Sequence, residues 1–184
     1  HLVTRTSDDP RQNIDLIKLL ETTLTINPDC IAVAEMKGGE SMQAINAANT
    51  GHSVITTIHA NSCEDTYYRM VTLCKQEQPG MDDDTLQSLA TKAFPIIAFA
   101  KRLEDNSRHM MEITECETLP NGTRCMRTLY RFHIADSLDM DGKTKIIGQY
   151  EKVENLSEGL QRRLRENGLS QKSLDRMLEG GKSE

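Results

Sequence analysis

Two short apolar runs, Cys30 to Met36 and Val54 to Ile58, stand out from the polar background of the chain, each bounded by turn residues. Continuous runs of this length suit strands buried on both faces. Between them Met42, Ile45 and Ala48 recur at helical spacing and Gly51 closes the segment. That connection is too long for a hairpin and suits a helical crossover between parallel neighbours, so the pattern predicts a βαβ unit.

On either side the period changes. His1 to Arg5 (HLVTR) reads as a strand already in progress, which makes the sequence look like a piece of a longer chain. Asp8, Asp9 and Pro10 form a turn, and Ile14, Ile17, Leu20 and Leu24 recur at helical spacing up to Asn27-Pro28. After the second run, Ser62 to Gln76 reads as a helix capped by Ser62 or Asn61, with Tyr67, Met70, Val71 and Cys74 inward. Gln78-Pro79-Gly80 ends it. Asp82 to Asp84 then open a helix over Thr85 to Phe94 as solvated first-turn carboxylates rather than metal ligands.

From Pro95 the texture becomes extended. Pro95 to Arg102 reads as a strand, followed by hairpin strands His109 to Glu117, Arg124 to Ile134 and Lys143 to Tyr150, with turns at Pro120-Asn121-Gly122 and Asp141-Gly142. His109 and His133 fall in these alternating runs as surface residues. Ser157 caps a short helix through Asn167, stopped by Gly168, and Ser170 starts another through Leu178. The expected organisation is therefore 1–150 as an α/β domain with a hairpin extension, 151–179 as a small helical appendage and 180–184 as a frayed tail. Arg162, Arg163 and Arg165 read as a solvated helix face or a partner contact.

Composition narrows the function classes. The 184 residues are enough for one domain with a core. A net charge of −6, from 22 basic and 28 acidic residues, disfavours direct nucleic-acid binding. No apolar run reaches membrane-spanning length and no signal peptide is visible, which points to the cytoplasm. The five cysteines, Cys30, Cys63, Cys74, Cys116 and Cys125, form no CxxC pair and read as reduced thiols, mostly packing residues.

Candidate chemistry gathers in the βαβ unit. Glu35 interrupts the first run near its carboxyl end, while His59 and Asn61 follow the second, so all three project from one edge of a parallel sheet. Ligands bind at that edge in open α/β sheets. A carboxylate and an imidazole meeting there suit phosphoryl transfer. The same residues also admit a structural reading, in which Glu35 caps a helix and His59 fills a turn.

Glu35 in AEMKGGE, followed by Asn49 to Ser62 (NTGHSVITTIHANS), resembles the Walker B motif and His box of the secretion traffic ATPases. That family serves type II and type IV secretion, type IV pili and Tad-type pili. Asn49-Thr50-Gly51-His52, His59-Ala60-Asn61-Ser62, Asp65, Arg69 and Asn27-Pro28-Asp29 lean toward its Tad and conjugation branch. The resemblance covers about residues 1 to 135 and is specific at the His box. It implies a partial RecA-like P-loop NTPase core with parallel central strands, extended by antiparallel hairpins and a small helical carboxy-terminal segment. It also implies an ATP-hydrolysing motor subunit with ATP and Mg2+ as cofactors, Glu35 and His59 as catalytic groups, and Glu35 in the second shell of the magnesium. Glu40, His52, Asn61, Lys37 and Arg69 would bind nucleotide or support the site. The implied partners are identical subunits in a hexamer and an inner-membrane platform protein, at the inner face of the cell membrane.

Two departures qualify the resemblance. Glu21, Thr25 and Asn27 stand where the family places arginines, and Ala34-Glu35 with Lys37 replace its Gly-Glu and nearby Arg. Lysine keeps the charge but not the planar fork. No P-loop, G-x-x-x-x-G-K-[ST], occurs: Gly181-Lys182-Ser183 and Gly142-Lys143-Thr144 lack the first glycine, which is Arg176 or Ser137. In the family the P-loop precedes the strand expected at His1. A degenerate, non-hydrolysing partner subunit and an assembly or adaptor module are the alternative readings.

Overall fold

The computed structural model describes residues 2–119, 121–140 and 143–179, without the side chains of 138–140 and 143. It falls into two compact units, His1–Phe94 and Pro95–Glu184. The first contains α1 (Leu16–Ile26), β1 (Cys30–Val33), α2 (Glu40–Asn49), β2 (Ser53–Thr56), α3 (Cys63–Cys74) and α4 (Asp83–Ala93).

The expected βαβ unit forms. Strands β1 and β2 pair in parallel from Cys30↔Ser53 to Val33↔Thr56, joined by α2. Met42, Ala44, Ile45 and Ala47 of α2 are buried, as are Tyr67, Met70 and Leu73 of α3 and Leu86 and Ala90 of α4, so the helices build the core around α2. Burial along β1 alternates, with Ile31 and Val33 inside and Cys30 and Ala32 outside. Ile55 of β2 is 63% exposed. The expectation of strands buried on both faces is thus not met, because the helices cover one face and the apolar residues of the other stay in contact with solvent.

Side-chain caps set the helix boundaries. Asp15 accepts from Lys18 N, Ser62 from Asp65 N and Asp82 from Thr85 N, each satisfying an amide that the helix leaves free. The Asp82 cap starts α4 two residues earlier than the pattern predicts. Asn27 ends α1 in the left-handed region (φ 53°). Tyr67, which is buried, donates its hydroxyl to Phe94 O at 2.6 Å and fixes the end of α4.

The amino-terminal strand expected over HLVTR does not form. Only Arg5 pairs, in a single antiparallel bridge with Ile14, and Leu2 and Val3 are exposed. Ile14 therefore lies outside α1, and a short 3-10 turn, Pro10–Gln12, closes the intervening loop.

The second unit is an antiparallel meander, β3 (Ile96–Arg102), β4 (Arg108–Thr118), β5 (Arg124–Met140) and β6 (Lys143–Lys152), followed by α5 (Glu158–Glu166) and α6 (Gln171–Glu179). Among the described residues these strands form their own four-stranded sheet and do not extend the β1–β2 pair. Asp141 and Gly142 of the second expected turn, Pro120 of the first and the expected tail at 180–184 lie outside the described residues. His109 is not the surface residue expected from its strand: its ring stacks on Phe132 with centroids 4.3 Å apart. His133 is exposed, 2.5 Å from Glu151. Gly148 leaves room for the Phe132 ring, since a Cβ there would stand 2.4 Å from it. Ser157 caps α5 and also ties it to the sheet, donating its backbone N–H and hydroxyl to the buried Glu115 carboxylate at 2.8 and 2.5 Å.

No disulfide joins any of the five cysteines, all of them among the described residues; Cys63, Cys74 and Cys116 are buried, whereas Cys30 and Cys125 are exposed. Burial, helped by the charge of Glu77, pushes the Cys74 thiol up to about 11. Cys116 is also raised, mainly by burial. The thiolate is the reactive form. Iodoacetamide at pH 8 is therefore expected to label Cys30 and Cys125 first in a mass-spectrometric time course, with Cys74 reacting only after denaturation. Ile45→Ala, which empties a fully buried position, is expected to cost about 2–5 kcal/mol in urea unfolding of the first unit.

Candidate functional site

The site begins where β1 leaves its partner. Val33 still pairs with Thr56, but the chain bends at Ala34 and the next bond joins Met36 N to Thr57 O at 2.8 Å. The Met36 side chain is 1% exposed and anchors the segment in the core. Two residues past Thr57, His59 places Nε2 3.2 Å from Glu35 Oε1. The His59 side chain is 93% exposed and that of Glu35 37%, so the pair is open to an incoming ligand. Parallel pairing produces this meeting: both residues follow the carboxyl ends of neighbouring strands.

Glu35 does not cap α2, whose N-cap is Gly39 without a side-chain cap bond; the carboxylate that holds the backbone before the helix is that of Glu40. Glu40 is only 8% exposed, and its Oε1 accepts from Lys37 N at 2.8 Å and Gly38 N at 2.9 Å. Its carboxylate thereby holds the turn between Glu35 and α2, and it gains from the helix amino terminus at which it sits. A Cβ on Gly38 would meet Glu40 Oε2 at 2.8 Å, so the turn is closely packed on this carboxylate. Lys37 is exposed on the same turn.

Beyond His59 an open groove of about 560 Å³ runs along α3. Asn61, Asp65 and Arg69 line it with His59, joined by Tyr68 and Thr72. Asp65, Tyr68, Arg69 and Thr72 follow helical spacing, so one exposed stripe of α3 continues the site. That spacing is the signal by which Tyr68 and Thr72 could have been found. Thr57 was missed too, and nothing in its sequence context separates it from Thr56.

His52 is not part of this grouping. It precedes β2 and lies at the opposite end of the strand from His59, with its N–H bonded to Ala47 O. Its ring nitrogens are buried without a hydrogen-bond partner among the described residues, as in a packing residue of the α2–β2 turn. The structure thus brings together Glu35 and His59, fixes the turn between them and α2 through Glu40, places Asn61 and Arg69 in the adjoining groove, and leaves His52 apart.

An exposed carboxylate–imidazole pair at the carboxyl ends of parallel strands, with a polar groove beside it, marks an α/β protein at the edge where such sheets bind ligands, and the two groups are of a kind capable of acid–base chemistry. Residues 2–181 match the family model of the type II/IV secretion system protein, and the chain belongs to that family, as its Walker B-like and His-box residues lead one to expect. It is 36% identical over 72 residues to the type IV pilus assembly ATPase PilB of Pseudomonas aeruginosa, a match spanning 39% of this chain and 13% of PilB. It is 41% identical over 63 residues to the type IV secretion system protein VirB11 of Brucella suis biovar 1, spanning 34% of this chain and 18% of that protein. The crystal structure of the VirB11 ATPase from the Brucella suis type IV secretion system, in complex with sulphate, superposes with a TM-score of 0.53 at 28% identity, covering 55% of this chain and 32% of that one. The chain thus corresponds to well under half the length of each of these relatives.

Glu40→Ala removes the acceptor of two loop amides. It is expected to lower stability by about 1–3 kcal/mol in thermal unfolding and to speed hydrogen exchange at Lys37 and Gly38.

Proposed function

We propose that this chain is the carboxy-terminal part of the motor domain of an ATP-hydrolysing subunit in a secretion, conjugation or pilus assembly system. The observation that carries the reading is the 3.2 Å approach of His59 to Glu35, on the two motifs that the family resemblance singles out. Glu35, whose side chain is partly exposed, orients and deprotonates the attacking water. His59 contacts the terminal phosphate and, through the groove along α3, passes its loss to a neighbouring subunit. Asn61 and Arg69 hold the groove side of the site, and Glu40 and Lys37 the turn beneath it. The core that these residues complete is RecA-like, with a P-loop contributed from outside this sequence.

Magnesium and nucleotide suit these residues in a limited way. Among the described residues no cluster of three or more His, Cys, Asp or Glu could hold a metal. A single partly exposed carboxylate matches Mg2+ that keeps most of its waters and binds the phosphates. A bound Mg2+-nucleotide would supply the phosphoryl group and the neutralising charge, and Glu35 would hold it only through water.

A ring of six identical subunits docked on an inner-membrane platform, at the cytoplasmic face, completes the reading. No helix among the described residues is long and apolar enough to cross a membrane. A non-hydrolysing partner subunit is the second reading. It is favoured by Glu21, Thr25, Asn27 and Lys37 at positions where the family resemblance places arginines.

The test is turnover. The 184-residue chain is expected to show none above background, and a longer chain that supplies the P-loop is expected to hydrolyse ATP. In that longer chain Glu35→Gln should lower kcat on the order of 10²–10⁴-fold, the usual range for a general base. Tight nucleotide binding without hydrolysis would decide for the second reading, and turnover indifferent to Glu35 would remove the first.

A further inference from the structure

The peptide units on both sides of Glu35 are held by one residue of the neighbouring strand. Thr57 Oγ1 donates to Ala34 O at 2.6 Å, and Thr57 O accepts from Met36 N at 2.8 Å. Between the pair Val33↔Thr56 and the Met36–Thr57 bond, the β1 side passes Ala34 and Glu35 while the β2 side passes no residue. The strands are therefore out of step here, in the manner of a bulge, and bulges next to sites re-aim a side chain. A regular ladder would turn successive side chains to opposite faces. The hydroxyl of Thr57 reaches a carbonyl on the displaced segment and so stabilises the bend that presents Glu35.

From this geometry we infer that Thr57 is the positioning residue of the site: by bracketing Glu35 at Ala34 O and Met36 N, it holds the carboxylate against His59. Thr57 touches neither substrate nor water in this role. It sits two residues before His59, so one short segment of chain carries both the imidazole and the clamp on its partner. A displacement of that segment moves the two catalytic groups together, and loss of the hydroxyl lets them part. The inference rests on the proposed hydrolytic reading for its consequence in turnover, but not for its geometric content. Valine is close to threonine in shape and lacks the hydroxyl, serine keeps the hydroxyl and drops the methyl, and alanine drops both.

Two measurements separate the inference from the reading beneath it. In the 184-residue chain, Glu35→Gln is expected to move the NMR signals of the His59 ring. That response should vanish in a Thr57→Val background and persist in a Thr57→Ser background. A response that survives in Thr57→Val overturns the inference. If Thr57→Val does not fold, Thr57→Ala is read in the same way, and failure of both to fold also overturns it, since the hydroxyl would then serve the fold as a whole. In the longer, P-loop-containing chain, Thr57→Val should lower kcat on the order of 100-fold, the scale of a misplacement of about 1 Å. KM for ATP should stay within about twofold, because uniform binding is untouched. Thr57→Ser should restore most of the rate, and Thr57→Val should cost nothing further on top of Glu35→Gln. Unchanged kcat, or a full additional loss in the Glu35→Gln background, overturns the inference. A His59 response that depends on Thr57, together with turnover that ignores Glu35, would sink the hydrolytic reading and leave the positioning role standing.

Discussion

The parallel register of β1 on β2 is the constraint from which the site follows. Parallel neighbours end on the same edge, so a carboxylate after one strand and an imidazole after the other have only to be placed at matching distances past the ladder. An antiparallel pair would send Glu35 and His59 to opposite ends. The register is set in turn by packing, since Ile31, Val33 and Met36 enter the core that α2, α3 and α4 close. A slip by one residue would turn Ile31 and Val33 to solvent and break the acid–imidazole contact with them. Core and chemistry are thereby specified by the same few side chains.

Around this constraint the polar groups divide their tasks. Glu40 spends its carboxylate on backbone amides, and Glu35 is left to face outward. Both are glutamates within one short turn, and environment alone separates them: one is 8% exposed at a helix start, the other open beside an imidazole. A comparable division holds in the second unit, where buried Glu115 secures the start of α5 while Glu112, Glu117 and Glu154 pair with arginines near the surface.

Much of this was legible in the residues. The apolar runs, the crossover and the caps at Ser62 and Ser157 follow from local rules, and the edge shared by Glu35 and His59 follows from parallel topology. What escaped depends on contacts across the chain. HLVTR has the alternation of a strand, yet Arg5 finds only Ile14. The two central runs have the composition for burial on both faces, but composition does not say whether a second layer is present. His109 reads as exposed until Phe132 lies beneath its ring. His52 shares a motif with the site and still sits at the wrong end of its strand. Thr57 matters through a bond to a carbonyl 23 positions earlier, at an irregularity that no spacing rule announces.

The outward face of the small sheet carries a consequence of its own. Ala32 and Ile55 present greasy surface, and among the described residues β1 and β2 hydrogen-bond as strands only to each other, so both outer rims keep main-chain groups free for another ribbon. Two strands alone make a marginal sheet. Produced by itself at high concentration, such a polypeptide has a ready template for sticking to its own copies, and handling it in dilute solution, or with a covering β-segment supplied, becomes a matter of colloidal behaviour as much as of folding.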